Sequence, residues 1–271
     1  GVGAAVKNNE GEWVLLNGNQ TALMFVYYLI TRWKELGKIN GKEYIVKTIV
    51  TTETIKTIAE RNGVEIYDVY TGFKWIANVM RENEGKKNYI GGGEESYGFL
   101  CEDFVRDKDA VSACVILAEI AAWAKDQGLS LYQLLQKIYV EYGFSKEKGI
   151  SVVKKGKSGA EEIEAMMKKF RENPLTEIAG SKVTYFYDYS TLKGKDYAEN
   201  ETVTLDMPTT SNVLQYFTED NTKVSIRPSG TEPKIKFYCE VHSKVKSIDE
   251  LPEAEKAAEE KINQIKASLG I

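Results

Sequence analysis

The sequence predicts two domains: an α/β domain, with a mixed sheet and covering helices, followed by an α+β domain, with a small antiparallel sheet and helices on one face. Strand, helix and strand patterns follow one another between residues 44 and 70, at the spacing of a βαβ unit. In the last third, apolar and polar residues alternate strictly, which is typical of an antiparallel sheet with one packed face. With 271 residues, the chain is also long for one domain.

The first elements are two short strands and a helix. Strand patterns at 2–7 and 13–16 flank the turn-forming residues 8–11, so we predict a hairpin. Residues 17–20 end this hairpin. The run 22–33 is rich in apolar side chains and lacks Gly and Pro, which predicts a buried helix.

The βαβ unit and three further helices complete the first domain. Strands are predicted at 44–50 and 64–70, with a helix between them that begins after Thr51-Thr52-Glu53 and ends at Arg61. A short helix near 73–81 and a strand at 89–90 lead to the glycine-rich segment 91–98. Of the helices predicted at 110–125 and 129–142, the first is apolar on nearly all sides, so we expect it to be the main buried helix and the second to lie at the surface.

The second domain begins where the composition changes, near residue 143. A helix places Ile163, Met166, Met167 and Phe170 on one face, and we expect that face in the core. A charged amphipathic helix is predicted at the end of the chain. The predicted strands are 150–153, 182–189, 212–218, 223–227 and 234–243. The polar face of the last strand, which includes His242, is expected to face solvent.

Composition excludes several classes of protein. The 36 Lys and Arg against 40 Asp and Glu give a net charge of −4, so we expect neither nucleic acid nor an anionic membrane as a partner. The longest apolar stretch, 111–124, is shorter than the ~20 residues of a membrane-spanning helix. The three cysteines have no paired metal spacing, and the single His has no ligand or triad partner. We therefore expect a reducing, cytoplasmic location and no metal site in this chain.

The strongest local signal is the turn 227–234, between two predicted strands. Gly230 lets the backbone approach a ligand closely, and successive amides of such a turn can bind an anion. Arg227 can bind two phosphate oxygens at once, while the hydroxyls of Ser229 and Thr231 bind further oxygens. A plain hairpin with an incidental Arg is the alternative. The two prolines of the turn favour a preorganised phosphate site.

A second signal is the segment 91–98, in which three glycines precede Glu94, Glu95 and Ser96. The carboxylates would repel phosphate, but they can accept hydrogen bonds from neutral sugar hydroxyls, and Ser96 can add another. The glycine spacing fits neither a Rossmann fingerprint nor a P-loop. A glycine loop with solvated acids is the alternative.

A third signal is Lys74, which directly follows a predicted strand. Open α/β sheets bind their ligands outside the carboxyl ends of strands, so Lys74 is a candidate ligand-binding residue. A solvated surface Lys is the alternative.

In this order and spacing, the three loops resemble those of the α-D-phosphohexomutase superfamily, the phosphoglucomutases and phosphomannomutases. Glu94 and Ser96 match the Gly-Glu-x-Ser loop with which the family's third domain binds sugar hydroxyls. Lys74, in Thr-Gly-Phe-Lys-Trp, matches the Lys of a neighbouring loop of that domain. The Arg-x-Ser-x-Thr loop with which the fourth domain binds the substrate phosphate is matched by Arg227, Ser229, Gly230 and Thr231.

The resemblance covers essentially the whole chain and implies a function. Its members are intramolecular phosphotransferases that interconvert hexose 1-phosphate and hexose 6-phosphate, with Mg²⁺ as metal and hexose 1,6-bisphosphate as activator and intermediate. The family's phosphoserine loop and Asp-x-Asp-x-Asp-Arg metal loop do not occur in this sequence. We therefore expect no catalytic residue and no metal ligand in this chain, a phosphorylated hexose as its ligand, and no turnover by the chain alone.

The start of the chain resembles the strand that follows the metal loop in relatives. We therefore interpret the chain as the C-terminal half of such an enzyme. In this interpretation residues 1–20 are terminal strands of domain two, 21–145 form domain three, and 146–271 form domain four.

Two other functions share these loops: a non-catalytic phosphosugar-binding module, and a two-domain structural protein with solvent-filled loops. Within the enzyme class, Tyr97-Gly98 resembles phosphoglucomutase and phosphomannomutase more than phosphoglucosamine mutase, in which Gly-His tends to follow the Ser. The sequence does not choose among glucose, mannose, glucosamine and pentose phosphates, and it does not predict the oligomeric state.

Overall fold

The computed structural model describes residues 1–154, 156–230 and 232–271. They form two compact units: the first unit is Gly1–Gly143 with Val245–Ile248, and the second is Phe144–Lys244 with Asp249–Ile271. The first unit has a mixed sheet with covering helices, and the second has an antiparallel sheet with helices. Both predicted fold classes are confirmed.

The sheet of the first unit has the strand order β4-β3-β5-β6, in which β3 runs parallel to β4 and β5 while β6 is antiparallel to β5. The predicted hairpin forms a separate antiparallel pair, β1 with β2. The elements of this unit are β1 (Ala4–Lys7), β2 (Trp13–Leu16), α1 (Gly18–Glu35), β3 (Glu43–Thr48), α2 (Thr54–Arg61), β4 (Glu65–Val69), α3 (Phe73–Glu82), β5 (Asn88–Gly93), β6 (Phe99–Cys101), α4 (Ala110–Asp126) and α5 (Leu131–Tyr142).

Helix α1 begins four residues before the predicted start, because the presumed break 17–20 is its cap and first turn. The Asn17 side chain accepts from the Gln20 amide, and the Gln20 side chain accepts from the Asn17 amide, which is a complete capping box. All residues from Thr21 to Ile30 are buried, so α1 is the central helix of the unit.

The expectation that residues 110–125 form the main buried helix is wrong. Helix α4 buries only Ala113, Leu117, Ile120 and Ala124, a single stripe, while Val111 and Val115 are 74% and 61% exposed. An apolar composition therefore overstated the burial of α4, because only one face of this helix packs into the unit and the long buried run belongs to α1.

Glu53 directly precedes helix α2, but its side chain makes no cap hydrogen bond. It lies instead 2.9 Å from the ammonium of Lys47, a residue of β3 that is only 1% exposed. Asp68 of β4 lies 2.6 Å from the same ammonium. A buried charge must be paired to be tolerated, and Lys47 thereby holds the carboxyl ends of β3 and β4 together.

The second unit is built on the sheet order β11-β10-β9-β12-β13-β14-β7, with β8 paired to β9 and every pair antiparallel. Phe170 of α6 contacts the ring of Phe237 in β14, and α7 packs against β14 and β7. The elements are β7 (Phe144–Val153), α6 (Gly156–Glu172), β8 (Glu177–Ile178), β9 (Ser181–Asp188), β10 (Lys193–Asp196), β11 (Glu201–Thr204), β12 (Leu214–Thr218), β13 (Lys223–Pro228), β14 (Lys234–Ser243) and α7 (Leu251–Leu269), preceded by a 3₁₀ turn (Ile248–Glu250).

The polar face of β14 is not solvated along its whole length, contrary to the sequence-based expectation. Glu240 is only 3% exposed, and its carboxylate lies 2.9 Å from the Lys223 ammonium and 2.9 Å from His242 Nε2. Burial alone would raise the pKa of Glu240, but the two neighbouring cations lower this pKa well below its usual range. Burial opposes the protonation of His242, but Glu240 and Glu147 outweigh burial and raise the pKa of His242.

Two substitutions on helix α4 test its orientation. Ile120→Ala should lower the free energy of unfolding by ~2–4 kcal/mol, because it leaves a cavity at a fully buried position. Val115→Ala, on the exposed side of the same helix, should change it by less than ~0.5 kcal/mol. Urea denaturation of both variants measures the difference, and equal losses would contradict the orientation of α4.

The raised pKa of His242 predicts a pH-dependent stability. A group whose pKa is higher in the folded than in the unfolded chain stabilises the fold fully below its unfolded pKa, which is about 6.5 for His. The stabilisation is lost as the pH rises through the higher folded pKa. The stability advantage of wild type over His242→Gln should therefore be largest below pH ~6.5 and shrink above it. His242 is the chain's one His, and an advantage that stays constant between acidic and alkaline pH would contradict the assignment.

Candidate functional site

The segment 94–98, which we call the carboxylate loop, joins β5 to β6. The three glycines before it were expected in this loop, but they lie in strand β5. Neighbouring atoms there occupy the space that a Cβ would need. The Glu94 amide donates to the Gly98 carbonyl at 2.8 Å and closes the loop. Tyr97 has a φ of 71°, a conformation that non-glycine residues rarely adopt, as loops at functional sites often require.

Glu94 connects the carboxylate loop to the loop that precedes α3. Its Oε1 accepts a hydrogen bond from the Gly72 amide at 2.8 Å. Gly72 has a φ of 113°, which glycine adopts without strain, and it lies two residues before Lys74. The structure therefore brings together two loops that the sequence analysis had singled out separately.

Two polar groups of the carboxylate loop have no hydrogen-bond partner among the described residues. Although Glu94 is only 8% exposed, its Oε2 accepts no hydrogen bond from any residue that the structure describes. Ser96 is exposed, and within the described ranges its hydroxyl makes no hydrogen bond. One carboxylate oxygen and one hydroxyl, two residues apart, can thus bind hydroxyl groups of a ligand.

Lys74 lies at the rim of this site. Its side chain is exposed, and its ammonium lies 4.9 Å from the ring centroid of Trp75, a cation–π contact. No hydrogen bond or ion pair joins Lys74 to Glu94 among the described residues, so the hydrogen bond from the Gly72 amide to the Glu94 carboxylate connects the two loops.

Lys108 is a candidate site residue that the sequence analysis missed. Its side chain passes over the carboxylate loop, because a Cβ on Gly98 would lie only 2.9 Å from Lys108 Cδ and 3.1 Å from Glu94 Oε2. Its ammonium lies 5.4 Å from the ring centroid of Phe73, next to Lys74 in sequence. The alternating charges of residues 106–109 are typical of a solvated segment, so nothing local distinguishes this Lys.

In the second unit, the predicted phosphate loop joins β13 to β14. The Ser229 amide donates to the Lys234 carbonyl at 2.7 Å, and the Ser229 hydroxyl accepts from the Glu232 amide at 3.3 Å. The Lys154 amide donates to the Pro233 carbonyl at 2.9 Å, which fixes the loop to the end of β7. Gly230 is exposed at the tip, and Thr231 lies outside the described residues.

Arg227 is directly opposite Lys236 in the register of β13 and β14. Both side chains are half-buried, and neither makes an ion pair with any residue in the described ranges. Like charges directly opposite each other destabilise a sheet, so this pair is a cost that a bound anion would relieve. Lys236 was not predicted as a site residue, because its partnership with Arg227 depends on the hairpin register.

The other side of the phosphate loop borders a groove of about 970 Å³ against α6. Pro228, Pro233 and Met167 are among its apolar lining residues. Arg171 lies at its edge, held by Asp188 at 2.9 Å and Asn212 at 2.7 Å. The loop is therefore accessible both from this groove and from the face that carries Arg227.

The described residues contain no group of three or more His, Cys, Asp or Glu side chains that could hold a metal ion. They do not fit the Mg²⁺ site that the family resemblance implies, so no chemical step through a metal follows from this chain. Within the same residues, no helix has the length and hydropathy needed to span a membrane.

Two family descriptions match the chain. The α/β/α domain III of phosphoglucomutase/phosphomannomutase matches residues 17–142, and the C-terminal domain of the same family matches residues 151–258. A phosphoglucomutase of Staphylococcus aureus (strain MRSA252) is 37% identical over 237 residues, which are 88% of this chain and 42% of that protein. A phosphoglucomutase of Staphylococcus haemolyticus (strain JCSC1435) is 32% identical over 241 residues, 89% of this chain and 43% of that protein. The chain thus spans less than half the length of these relatives.

Solved structures share the fold at lower identity. The phosphoglucomutase pp63/parafusin from Paramecium, in an open form, aligns with a TM-score of 0.56 and 16% identity, over 96% of this chain and 43% of that one. A phosphoglucomutase/phosphomannomutase family protein from Burkholderia thailandensis aligns with a TM-score of 0.56 and 16% identity, over 98% and 44%. Because two consecutive domains of one family account for most of the sequence, the chain belongs to the α-D-phosphohexomutase superfamily and carries its third and C-terminal domains.

Proposed function

We propose that this chain is the substrate-binding half of a phosphoglucomutase/phosphomannomutase, and that its ligand is a phosphorylated hexose. The observation that carries the proposal is the pair Arg227 and Lys236, two cations held side by side next to a loop of amides and hydroxyls. A dianionic phosphate removes the repulsion between them and accepts charge-assisted hydrogen bonds from both.

In this proposal the phosphate that is not being transferred binds in the second unit. Arg227 binds two of its oxygens, Ser229 and Thr231 contribute hydroxyls, and Gly230 leaves room for close backbone contact. The hydrogen bonds of Ser229 and Pro233 to neighbouring backbone support two held positions, one on each side of the loop, before the ligand arrives. A preorganised loop loses little entropy on binding.

The sugar hydroxyls bind in the first unit. Glu94 uses Oε2 as an acceptor while Oε1 is occupied by the Gly72 amide, and Ser96 contributes its hydroxyl. The cations Lys74 and Lys108 lie next to the same two loops and supply positive charge for a phosphate carried by the sugar. Positioning and charge compensation are most of what phosphoryl transfer requires from protein groups.

The reaction of the whole protein is part of the proposal. It is the interconversion of hexose 1-phosphate and hexose 6-phosphate through a hexose 1,6-bisphosphate, in the cytoplasm, with a phosphoserine and Mg²⁺ supplied by domains that this sequence does not contain. The chain has neither sequence motif, so we propose that it binds substrate and makes or breaks no bond.

We also propose the domain assignment 1–20, 21–145 and 146–271, in which the β1–β2 hairpin belongs to the preceding domain of the parent enzyme. The family description of domain III begins at residue 17, after this hairpin. The hairpin also exposes Trp13 and Leu15, which are 70% and 83% accessible, and such apolar surface is typical of an interface.

The role of Arg227 and Lys236 in phosphate binding, which we call the phosphate clamp, is tested by calorimetry with glucose 6-phosphate. Arg227→Ala should weaken binding by ~1.5–3 kcal/mol, roughly 10- to 150-fold, because a bidentate charged contact is lost. Lys236→Ala should weaken binding less, through the loss of one point charge. Lys193→Ala removes an exposed Lys elsewhere on the same sheet and is the matched control. Equal affinities of wild type and Arg227→Ala would contradict the clamp.

The proposal that this chain binds substrate without catalysing the reaction is tested by an activity assay. With glucose 1-phosphate, Mg²⁺ and glucose 1,6-bisphosphate, the isolated chain should give no glucose 6-phosphate above background, because it lacks the phosphoryl donor and the metal loop. Steady turnover by the purified chain would refute this half of the proposal.

A further inference from the structure

The first turn of helix α1 is in direct contact with the backbone of the carboxylate loop. A Cβ added to Gly18 would lie 1.9 Å from the Glu95 carbonyl oxygen, 2.6 Å from the Glu95 carbonyl carbon and 2.8 Å from the Tyr97 amide nitrogen. All three are backbone atoms, so no rotation of a side chain could relieve the overlap. Only glycine fits at position 18 while the loop keeps its observed conformation.

The helix side of this contact is firmly held. Asn17 and Gln20 form the capping box on either side of Gly18. The buried Asn19 accepts a hydrogen bond from the Thr52 amide at 3.0 Å, which ties the turn to the segment between β3 and α2. A side chain at position 18 would therefore displace the loop and not the helix.

Two residues of the carboxylate loop, Glu95 and Tyr97, make hydrogen bonds outside the loop. The Thr48 hydroxyl lies 3.4 Å from Glu95 Oε2, and the Val2 amide donates to the Tyr97 carbonyl at 2.9 Å. These contacts anchor Glu95 and Tyr97. Neither contact involves Glu94 Oε2 or the Ser96 hydroxyl, the two groups that flank Glu95 in sequence.

We propose that Gly18 and Glu95 are positioning residues for sugar binding. The first turn of α1 packs against the Glu95 backbone. This contact fixes the distance between the Glu94 carboxylate and the Ser96 hydroxyl, the two groups that bind the sugar hydroxyls. A Cβ at position 18 forces Glu95 to move by about 1 Å before contacts become tolerable. Recognition of the sugar hydroxyls depends on the distance between the Glu94 carboxylate and the Ser96 hydroxyl. The inference rests on the proposed function, because it assigns the two groups a sugar ligand.

The experiment compares wild type with Gly18→Ala, Glu95→Ala and the control Gly3→Ala, whose added Cβ would meet nothing within 4 Å. Hydrogen exchange of the Glu94 amide, which is bonded to the Gly98 carbonyl, reports the loop conformation. Calorimetry with glucose 6-phosphate reports sugar binding, and calorimetry with inorganic phosphate reports the phosphate loop of the second unit alone.

Gly18→Ala should accelerate exchange at Glu94 at least ~10-fold and weaken glucose 6-phosphate binding ~10-fold, since errors of 1 Å in positioning are costly. Inorganic phosphate should bind as in wild type, a selectivity that general unfolding would not produce. Glu95→Ala, which removes only the side-chain anchor, should weaken glucose 6-phosphate binding ~3-fold. Gly3→Ala should match wild type in every measurement.

Each other outcome overturns a defined claim. If wild type binds glucose 6-phosphate and Gly18→Ala binds it equally well, the positioning role is wrong and the proposed function stands. If wild type binds inorganic phosphate but gains nothing from the hexose, the proposed function of the first unit fails and this inference fails with it. If Gly18→Ala does not fold, Glu95→Ala decides, and unchanged hexose phosphate affinity in that variant overturns the inference.

Discussion

The hydrogen bond from the Gly72 amide to Glu94 Oε1 is the interaction on which the candidate sugar site depends. It joins the loop at the end of β4 to the loop at the end of β5, and it commits one carboxylate oxygen to structure so that only Oε2 is left for a ligand. A bond between an amide and a carboxylate is stronger than one between neutral groups. The buried Lys47, which holds β3 and β4 through Glu53 and Asp68, supports the same edge of the sheet.

The two units contribute opposite chemistry. In the first, a carboxylate and a hydroxyl are held by backbone contacts and suit neutral hydroxyl groups. In the second, Arg227 and Lys236 are forced together by strand register and suit an anion. Under the proposed function, the first unit binds the sugar hydroxyls and the second binds the phosphate.

The sequence predicted what depends on local pattern and missed what depends on register and packing. Both fold classes follow from the period of the apolar residues, and the turn between β13 and β14 follows from its Gly and Pro content. The burial of helix α4 was mispredicted, because apolar residues occur around most of this helix while only one stripe of them packs against the unit. Lys108 and Lys236 were not predicted, because the packing of Lys108 over Gly98 and the pairing of Lys236 with Arg227 depend on loop path and strand register.

The most direct test of the account is an NMR titration of the chain with glucose 6-phosphate, followed separately by inorganic phosphate. The account predicts that glucose 6-phosphate shifts the amide signals of Glu94 and Ser96 together with those of Ser229 and Gly230, whereas inorganic phosphate shifts only the second pair. Glucose 6-phosphate shifts confined to the second pair would contradict the claim that this chain binds both ends of a sugar phosphate.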